Sequence, residues 1–121
     1  MKLIACLVMA LALPVMANQE IYDALDLVPE VAISPNGGLV AVKQTEALMC
    51  MKTVFQGETK YNCELDHEQN MQSTYEALAV EATPLPANRR TIILQKKVSN
   101  LTCTLVDALN SETSYGCRAE L

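Results

Sequence analysis

Residues 50–63 read CMKTVFQGETKYNC, and residues 103–117 read CTLVDALNSETSYGC. Each segment begins and ends with cysteine, and each closes on the pattern Glu-Thr-x-Tyr-x-Cys. Turn-forming residues lie near the middle of each segment, between runs that are typical of β-strands. Both segments therefore predict a β-hairpin with one cysteine on each strand.

The cysteines set a register for the first hairpin. If Cys50 lies opposite Cys63 in an antiparallel pair, Gln56-Gly57 remain as a two-residue turn, which is the loop length that hairpins favour. Glycine in such a turn is free to take a positive φ. The sequence therefore predicts a tight turn at residues 56–57.

The second hairpin is one residue longer. With Cys103 opposite Cys117, Ala108 faces Glu112 and residues 109–111, Leu-Asn-Ser, form a three-residue loop. Opposed residues in such ladders have Cα atoms about 4.5–5.5 Å apart, which is within reach of a disulfide. We therefore predict one disulfide inside each hairpin, although the two crossed connectivities of four cysteines remain open.

The N-terminus has the layout of a secretory signal peptide. Lys2 supplies a positive charge, Leu3–Leu13 is apolar, and Val15 and Ala17 are small residues at the positions that a signal peptidase reads. The apolar run is too short to span a bilayer as a helix. Cleavage after Ala17 removes Cys6 and leaves an even four cysteines; a lipid anchor on Cys6 is disfavoured because almost no apolar run precedes it. We expect an exported protein, periplasmic or extracellular, without an integral membrane segment.

The chain is acidic. Its formal net charge is −5 at neutral pH, and loss of Lys2 makes it −6. Nucleic-acid binding depends on a basic footprint, so we exclude nucleic acid as a partner. Basic residues gather in the second half, where Arg89 and Arg90 are adjacent. They are either solvated groups that discourage edge-to-edge strand pairing or a contact patch for an acidic partner or for the acidic first half.

The second half of the chain resembles the first. A displacement of 53 residues lays 19–25 on 72–78 and Cys50 on Cys103. An ordered series of matches, gapless up to a hairpin loop, indicates a tandem duplication. We divide the chain into a signal peptide (1–17), a first repeat (18–70) and a second repeat (71–121). Both repeats are expected to dock as one compact domain, because a unit of about 50 residues buries little surface alone.

Each repeat is predicted to be an αβββ unit, which makes the fold α+β with antiparallel sheet. Helices are predicted near 19–28 and 72–82, since Ile21, Leu25 and Val28 fall on one helical face. Proline and glycine then predict a loop in each repeat. The loops cover 31–38 and 83–90, and the strands lie near 39–44, 48–55 and 59–65 and near 91–97, 101–107 and 113–120.

The strand faces bear on how the repeats meet. The leading strands, 39–42 and 91–94, are apolar on both faces, which predicts strands covered on both sides. Met49, Met51 and Phe55 share one face of the next strand, and we expect them to fill the join between the repeats. The alternative is an exposed apolar patch for a partner, since methionine-rich surfaces adapt to varied ligands. Whether the repeats share one sheet or stack two is left open.

No motif for chemistry stands out. His67 is the single histidine, so neither a Ser-His-Asp set nor a metal site with three or four ligands can be nominated. No phosphate-binding, dinucleotide-binding, CxxC or EF-hand motif occurs. Asn100-Leu-Thr102 is a glycosylation sequon, which matters only in a eukaryotic host. We predict no catalytic residue, no metal and no cofactor.

The function that we favour is a binding or inhibitory module. Its candidate surfaces are the loops 31–38 and 83–90 and the face formed by Met49, Met51 and Phe55. In layout, duplicated helix-plus-sheet units with hairpin disulfides are similar to secreted enzyme inhibitors such as the β-lactamase inhibitory proteins, and this similarity implies an inhibitor. The alternatives are an envelope enzyme with an unrecognised site and a structural envelope component. Neither the partner protein nor the oligomeric state is predicted.

Overall fold

The computed structural model describes residues 18–109 and 111–120. The predicted signal peptide and Asn110, in the second hairpin loop, lie outside the described residues. The first half contains a helix at 18–24 (α1) and the strands β1 (Glu30–Ile33), β2 (Leu39–Gln44), β3 (Leu48–Phe55) and β4 (Glu58–Leu65). The second half contains the helix α2 (Gln72–Ala77) and the strands β5 (Thr83–Leu85), β6 (Thr91–Val98), β7 (Leu101–Ala108) and β8 (Ser114–Ala119).

Two separate antiparallel sheets form most of the molecule. Their strand orders are β1-β2-β3-β4 and β5-β6-β7-β8, so each strand pairs with its neighbours in sequence. One short helix precedes each sheet. The α+β class with antiparallel sheet is confirmed, and the two halves do not share one sheet.

Each half has four strands, so the αβββ prediction is wrong by one strand in each half. The additional strands, β1 and β5, form inside the two segments that were predicted to be loops. Pro29 and Pro35 enclose β1, and a four-residue strand between prolines has the breaker pattern of a loop. It forms a strand because it pairs along the edge of β2, and the connecting turn is closed by the Ser34 N–H, which donates to the Gly38 carbonyl at 2.7 Å.

The disulfides pair as predicted. Cys50 lies opposite Cys63 with a Cα–Cα distance of 4.1 Å, and Cys103 lies opposite Cys117 at 4.0 Å. Both bonds link neighbouring strands of a single hairpin. The crossed connectivities are therefore absent from the fold.

The turns of the two hairpins differ. Gln56 and Gly57 both have positive φ, 51° and 77°, which confirms the two-residue turn. In the second hairpin the ladder ends at Val106 opposite Ser114, so the predicted three-residue loop at 109–111 is wrong. The last two residues of β7, Asp107 and Ala108, pair with β6 but have no partner on β8.

Both helices are shorter than predicted. They end at Ala24 and Ala77, whereas the apolar spacing predicted a further turn in each. Leu25 and Leu78 leave the helices and pair with each other in an antiparallel bridge. The predicted helical position of Val28 is therefore wrong, and its side chain is 93% exposed.

This bridge joins the halves through residues at equivalent positions. The Asp26 N–H donates to the Ala77 carbonyl and the Ala79 N–H donates to the Ala24 carbonyl, both at 2.8 Å. Asp26 and Ala79 are 53 positions apart, as are Ala24 and Ala77. The two halves are consequently related by an approximate two-fold axis at the bridge.

The core lies at this join. Its buried apolar side chains come from both helices and from the strand ends nearest to them. They are Ile21, Tyr22, Leu25, Ala47, Leu48, Cys50, Met71, Tyr75, Leu78, Val98, Leu101, Cys103 and Cys117. Because the core is confined to this end of each sheet, Leu39 and Ile92 are 46% and 58% exposed. The prediction that the leading strands are covered on both sides is therefore wrong.

Side-chain hydrogen bonds also cross between the halves. The hydroxyls of Thr45 and Thr74 are hydrogen-bonded at 2.6 Å, and Thr74 is fully buried. Val98 is the residue equivalent to Thr45 in the second half, and Ile21 is the residue equivalent to Thr74 in the first half; both are buried. The join thus has a polar side and an apolar side.

Candidate protein-binding surface

Side chains of β3 point alternately toward the core and away from it. Leu48 and Cys50 are buried in the core, so Met49, Met51 and Phe55 lie on the opposite face of the sheet. The methionines are half-buried, and Phe55 is 37% exposed. The prediction that these three residues fill the join is wrong, because the helices pack on the other face of β3. Their contact with a partner remains a prediction.

The neighbouring strand extends this apolar surface. Val42 pairs with Met51 and Val40 pairs with Thr53, which places both valines on the same face as the methionines. Sequence reasoning missed the valines because β2 is apolar on both faces, so only its register with β3 assigns them to one. We define the first-sheet outer face as Val40, Val42, Met49, Met51 and Phe55.

A depression of about 310 Å³ lies at one end of the first-sheet outer face. Phe55, Val40 and Gly38 line it together with polar side chains, Lys60 among them. A Cβ atom at Gly38 would lie 3.3 Å from Cδ1 of Phe55 and 3.0 Å from the Val54 carbonyl oxygen. Glycine is therefore needed for the phenyl ring to lie this close to the β1–β2 turn.

Polar side chains border the surface along β4. Glu58, Lys60, Asn62 and Glu64 alternate with the core-facing residues of that strand, and all four are exposed. The Lys60 ammonium lies 4.0 Å from a Glu58 carboxylate oxygen, in an ion pair open to solvent. An apolar strip with a polar rim is the usual anatomy of a protein-binding interface.

The corresponding face of the second sheet is more polar. The residues 53 positions after Met49, Met51 and Phe55 are threonine, threonine and alanine. Gly116 and Arg118 lie opposite the two threonines on β8. Val106 and its partner Ile93 keep part of this face apolar, but β6, β7 and β8 carry no methionine or phenylalanine.

The other predicted partner-binding residues, Arg89 and Arg90, are exposed in the loop between β5 and β6. Asn88 Oδ1 accepts a hydrogen bond from the Arg90 N–H at 3.0 Å, and Leu109 N–H donates to the Arg90 carbonyl at 2.6 Å. These residues line a depression of about 390 Å³ at the end of the second sheet opposite the join. The structure does not bring the arginines together with the first-sheet outer face, and their contact with a partner remains a prediction.

A lysine closes the end of each helix. Lys43 Nζ donates to the carbonyl oxygens of Tyr22 and Leu25, both at 3.0 Å, and lies 4.4 Å from the centre of the Tyr22 ring. Lys96 makes the equivalent contacts 53 positions later. Burial raises the pKa of the Tyr22 and Tyr75 hydroxyls above the usual tyrosine range. Because the last carbonyls of a helix need donors, we assign this arrangement to folding in both halves.

Two further positions singled out in the sequence are His67 and the Asn100 sequon. His67 is exposed beside an open groove of about 740 Å³. Among residues 18–109 and 111–120, no three His, Cys, Asp or Glu side chains are placed to hold a metal ion. Asn100 of the sequon donates its side-chain amide to the Glu120 carbonyl at 2.6 Å, and Thr102 is buried. In the same part of the chain, each helix falls short of the length and apolar content that a membrane span requires.

Comparisons with known proteins found no relative. No protein-family model matches the chain, and neither a curated protein nor a solved structure matches it. Inferences about function therefore rest on this chain's own residues and surfaces.

Proposed function

We propose that this protein is a small exported, disulfide-stabilised module that binds another protein, in the manner of an inhibitor, through its first-sheet outer face. The observation that supports this function is the partial exposure of Met49 and Met51, beside exposed Phe55, at positions where the second half has threonine and alanine. The second sheet forms without large apolar side chains at these positions. Folding therefore does not explain their presence in the first sheet, whereas binding to a partner does.

A tandem duplication explains why the two halves can be compared position by position. Support comes from contacts that recur 53 residues apart, including the lysine that closes each helix and the hydrogen bonds of the join. In a duplicated scaffold, positions that folding requires stay alike. Positions that differ are then available for binding.

Export is supported by the two disulfides together with the predicted signal peptide at residues 1–17. Disulfides persist in oxidising compartments and are rare in the cytosol. We therefore place the mature module in the periplasm or outside the cell, where it would meet its partner.

Affinity capture from the native envelope or secretion medium tests the function. The bait is the mature, oxidised protein, and the matched control is the triple variant Met49→Thr/Met51→Thr/Phe55→Ala, which copies the second half into the first. We expect the wild-type bait to retain a defined protein and the triple variant to lose it. Equal retention by both baits contradicts the proposed surface, and a wild-type bait that retains nothing above an unrelated disulfide-bonded bait contradicts the function.

The variant Arg89→Glu/Arg90→Glu examines the second predicted patch in the same assay. If these arginines contact an acidic partner, charge reversal weakens capture, and the weakening is greatest at low salt because screening is least there. Unchanged capture restricts the binding surface to the first half.

A further inference from the structure

β1 is an edge strand whose outward backbone groups have no partner in the sheet. In an antiparallel ladder, every second residue of a strand bonds to the neighbouring strand and the residues between them bond to the other side. The Ser34 N–H donates to the Gly38 carbonyl, so Ala32, two residues earlier, also bonds toward β2. The N–H and carbonyl groups of Val31 and Ile33 therefore point away from the sheet. No hydrogen bond from the described part of the chain reaches them, and their side chains are 63% and 74% exposed.

Prolines close the same edge in the second half. The residues 53 positions after Val31 and Ile33 are Pro84 and Pro86. Pro84 lies in β5 opposite Leu94, and neither proline has an N–H to donate to an added strand. The two edges thus share a geometry but differ in their ability to accept another strand.

The other edge of the first sheet has protection that β1 lacks. β4 carries exposed charged side chains such as Lys60 and Glu64, and Asn18 Nδ2 already donates to its Tyr61 carbonyl at 3.4 Å. Charged residues on an edge discourage pairing with another chain.

The sequence around β1 is symmetric in its chemistry. It reads Pro29-Glu-Val-Ala-Ile-Ser-Pro35, with proline, polar and β-branched positions placed equally on either side of Ala32. We propose that β1 pairs antiparallel with β1 of a second copy of this chain, about a two-fold axis at Ala32. Val31 then lies opposite Ile33 of the partner subunit, and the two residues exchange their outward N–H···O=C bonds.

This register suits a second copy better than an unrelated strand. Glu30 lies opposite Ser34 of the partner subunit, so no like charges oppose each other, and β-branched side chains meet across the new strand pair. Pro29 and Pro35 end the ladder at the same point on both chains, because neither can donate an N–H. A strand from another protein would need none of this symmetry.

The resulting dimer joins the two first sheets into one eight-stranded sheet. Edge pairing leaves the faces of a sheet open, so the first-sheet outer face stays exposed and the dimer does not depend on the proposed function. A ladder this short predicts weak association. The two-fold pairing uses the same edge on both chains, so assembly through β1 stops at two.

Sedimentation velocity of the mature, oxidised protein tests the dimer. We expect the wild type to shift from monomer to dimer between micromolar and millimolar concentrations. The variant Val31→Pro/Ile33→Pro, which copies the second half, is expected to remain monomeric. Should that variant lose its fold, Val31→Lys supplies the same test, because it adds an edge charge and leaves every backbone group in place.

The converse variant, Pro84→Val/Pro86→Ile, opens the second edge. Each chain then has two open edges, and we expect species larger than a dimer; a variant that stops at two chains contradicts the role given to the prolines. A wild type that is monomeric at every concentration, or a folded Val31→Lys variant that still dimerises, overturns the proposal. Protection of the Val31 and Ile33 amides from exchange only when a captured protein is bound would assign the edge to that protein instead.

Discussion

Gln56 occupies a backbone conformation that few residues adopt without strain. Its φ of 51° lies in the left-handed region, which costs an ordinary L-residue about 1–2 kcal/mol. Asparagine tolerates this region better, so we expect Gln56→Asn to raise the free energy of unfolding by about 0.5–1 kcal/mol. Urea denaturation measures the difference, and Gln56→Ala is the control because alanine shares the steric cost. Equal free energies for the asparagine and alanine variants would contradict the assignment.

Lys43 and Lys96 each donate to two carbonyl groups at the end of a helix. Replacement of either by methionine keeps most of the apolar stem but removes the charged donor, and we expect a loss of about 2 kcal/mol in the free energy of unfolding. The control is Lys97→Met, because Lys97 is exposed on the same strand as Lys96 and its loss should cost under about 0.5 kcal/mol. Unfolding of all three variants at the same denaturant concentration would contradict this role for Lys43 and Lys96.

At the scale of elements, the two disulfide hairpins should contribute similar stability. The bonds close loops of nearly equal length, with sequence separations of 13 and 14 residues. Removing either bond, as Cys50→Ala/Cys63→Ala or Cys103→Ala/Cys117→Ala, is expected to lower the free energy of unfolding by about 3 kcal/mol. Denaturant unfolding of both variants checks this, with the fully reduced wild type as the lower limit. A bond whose removal has no effect would contradict the equivalence of the hairpins.

The first hairpin and both disulfides could be predicted because their determinants are local. Gln56-Gly57 sets the turn, and the flanking cysteines then fix the register of the first hairpin. β1 could not be predicted, because Pro29 and Pro35 indicate a loop while its pairing with β2 depends on contacts distant in sequence. The helix ends could not be predicted either, because an apolar residue such as Leu25 suits the last turn of a helix and a bridge to the other half equally well.

For the molecule as a whole, the Thr45–Thr74 hydrogen bond between the halves offers a double-mutant test. Thr45→Val leaves the buried Thr74 hydroxyl without its partner, and we expect a loss of about 1–3 kcal/mol in the free energy of unfolding. Adding Thr74→Ile removes the unpaired hydroxyl and gives the residue types found at the equivalent buried positions, Val98 and Ile21, so the part of the loss that is due to Thr74 should be recovered. The Leu48 N–H, which donates to Thr45 Oγ1 at 3.0 Å, stays without that acceptor in both variants. Additive effects of the two substitutions, measured by urea denaturation, would contradict direct coupling across the join.

The candidate surface could be predicted only in part, because its exposure depends on how the two halves pack. Alternation correctly placed Met49, Met51 and Phe55 on one face of β3. Both faces of that strand carry apolar residues, so the sequence could not say which one the helices cover. The assignment depends on how α1 and α2 meet at the Leu25–Leu78 bridge, which is a property of the complete fold.

Amide hydrogen exchange at Asp26 and Ala79 examines that bridge directly. These two N–H groups, 53 positions apart, each donate to a carbonyl of the opposite half. Both should exchange slowly and with equal protection, close to the free energy of global unfolding, because neither bond can open without separating the halves. Rapid exchange at either amide, or clearly unequal opening free energies, would show that the halves are not joined through equivalent residues.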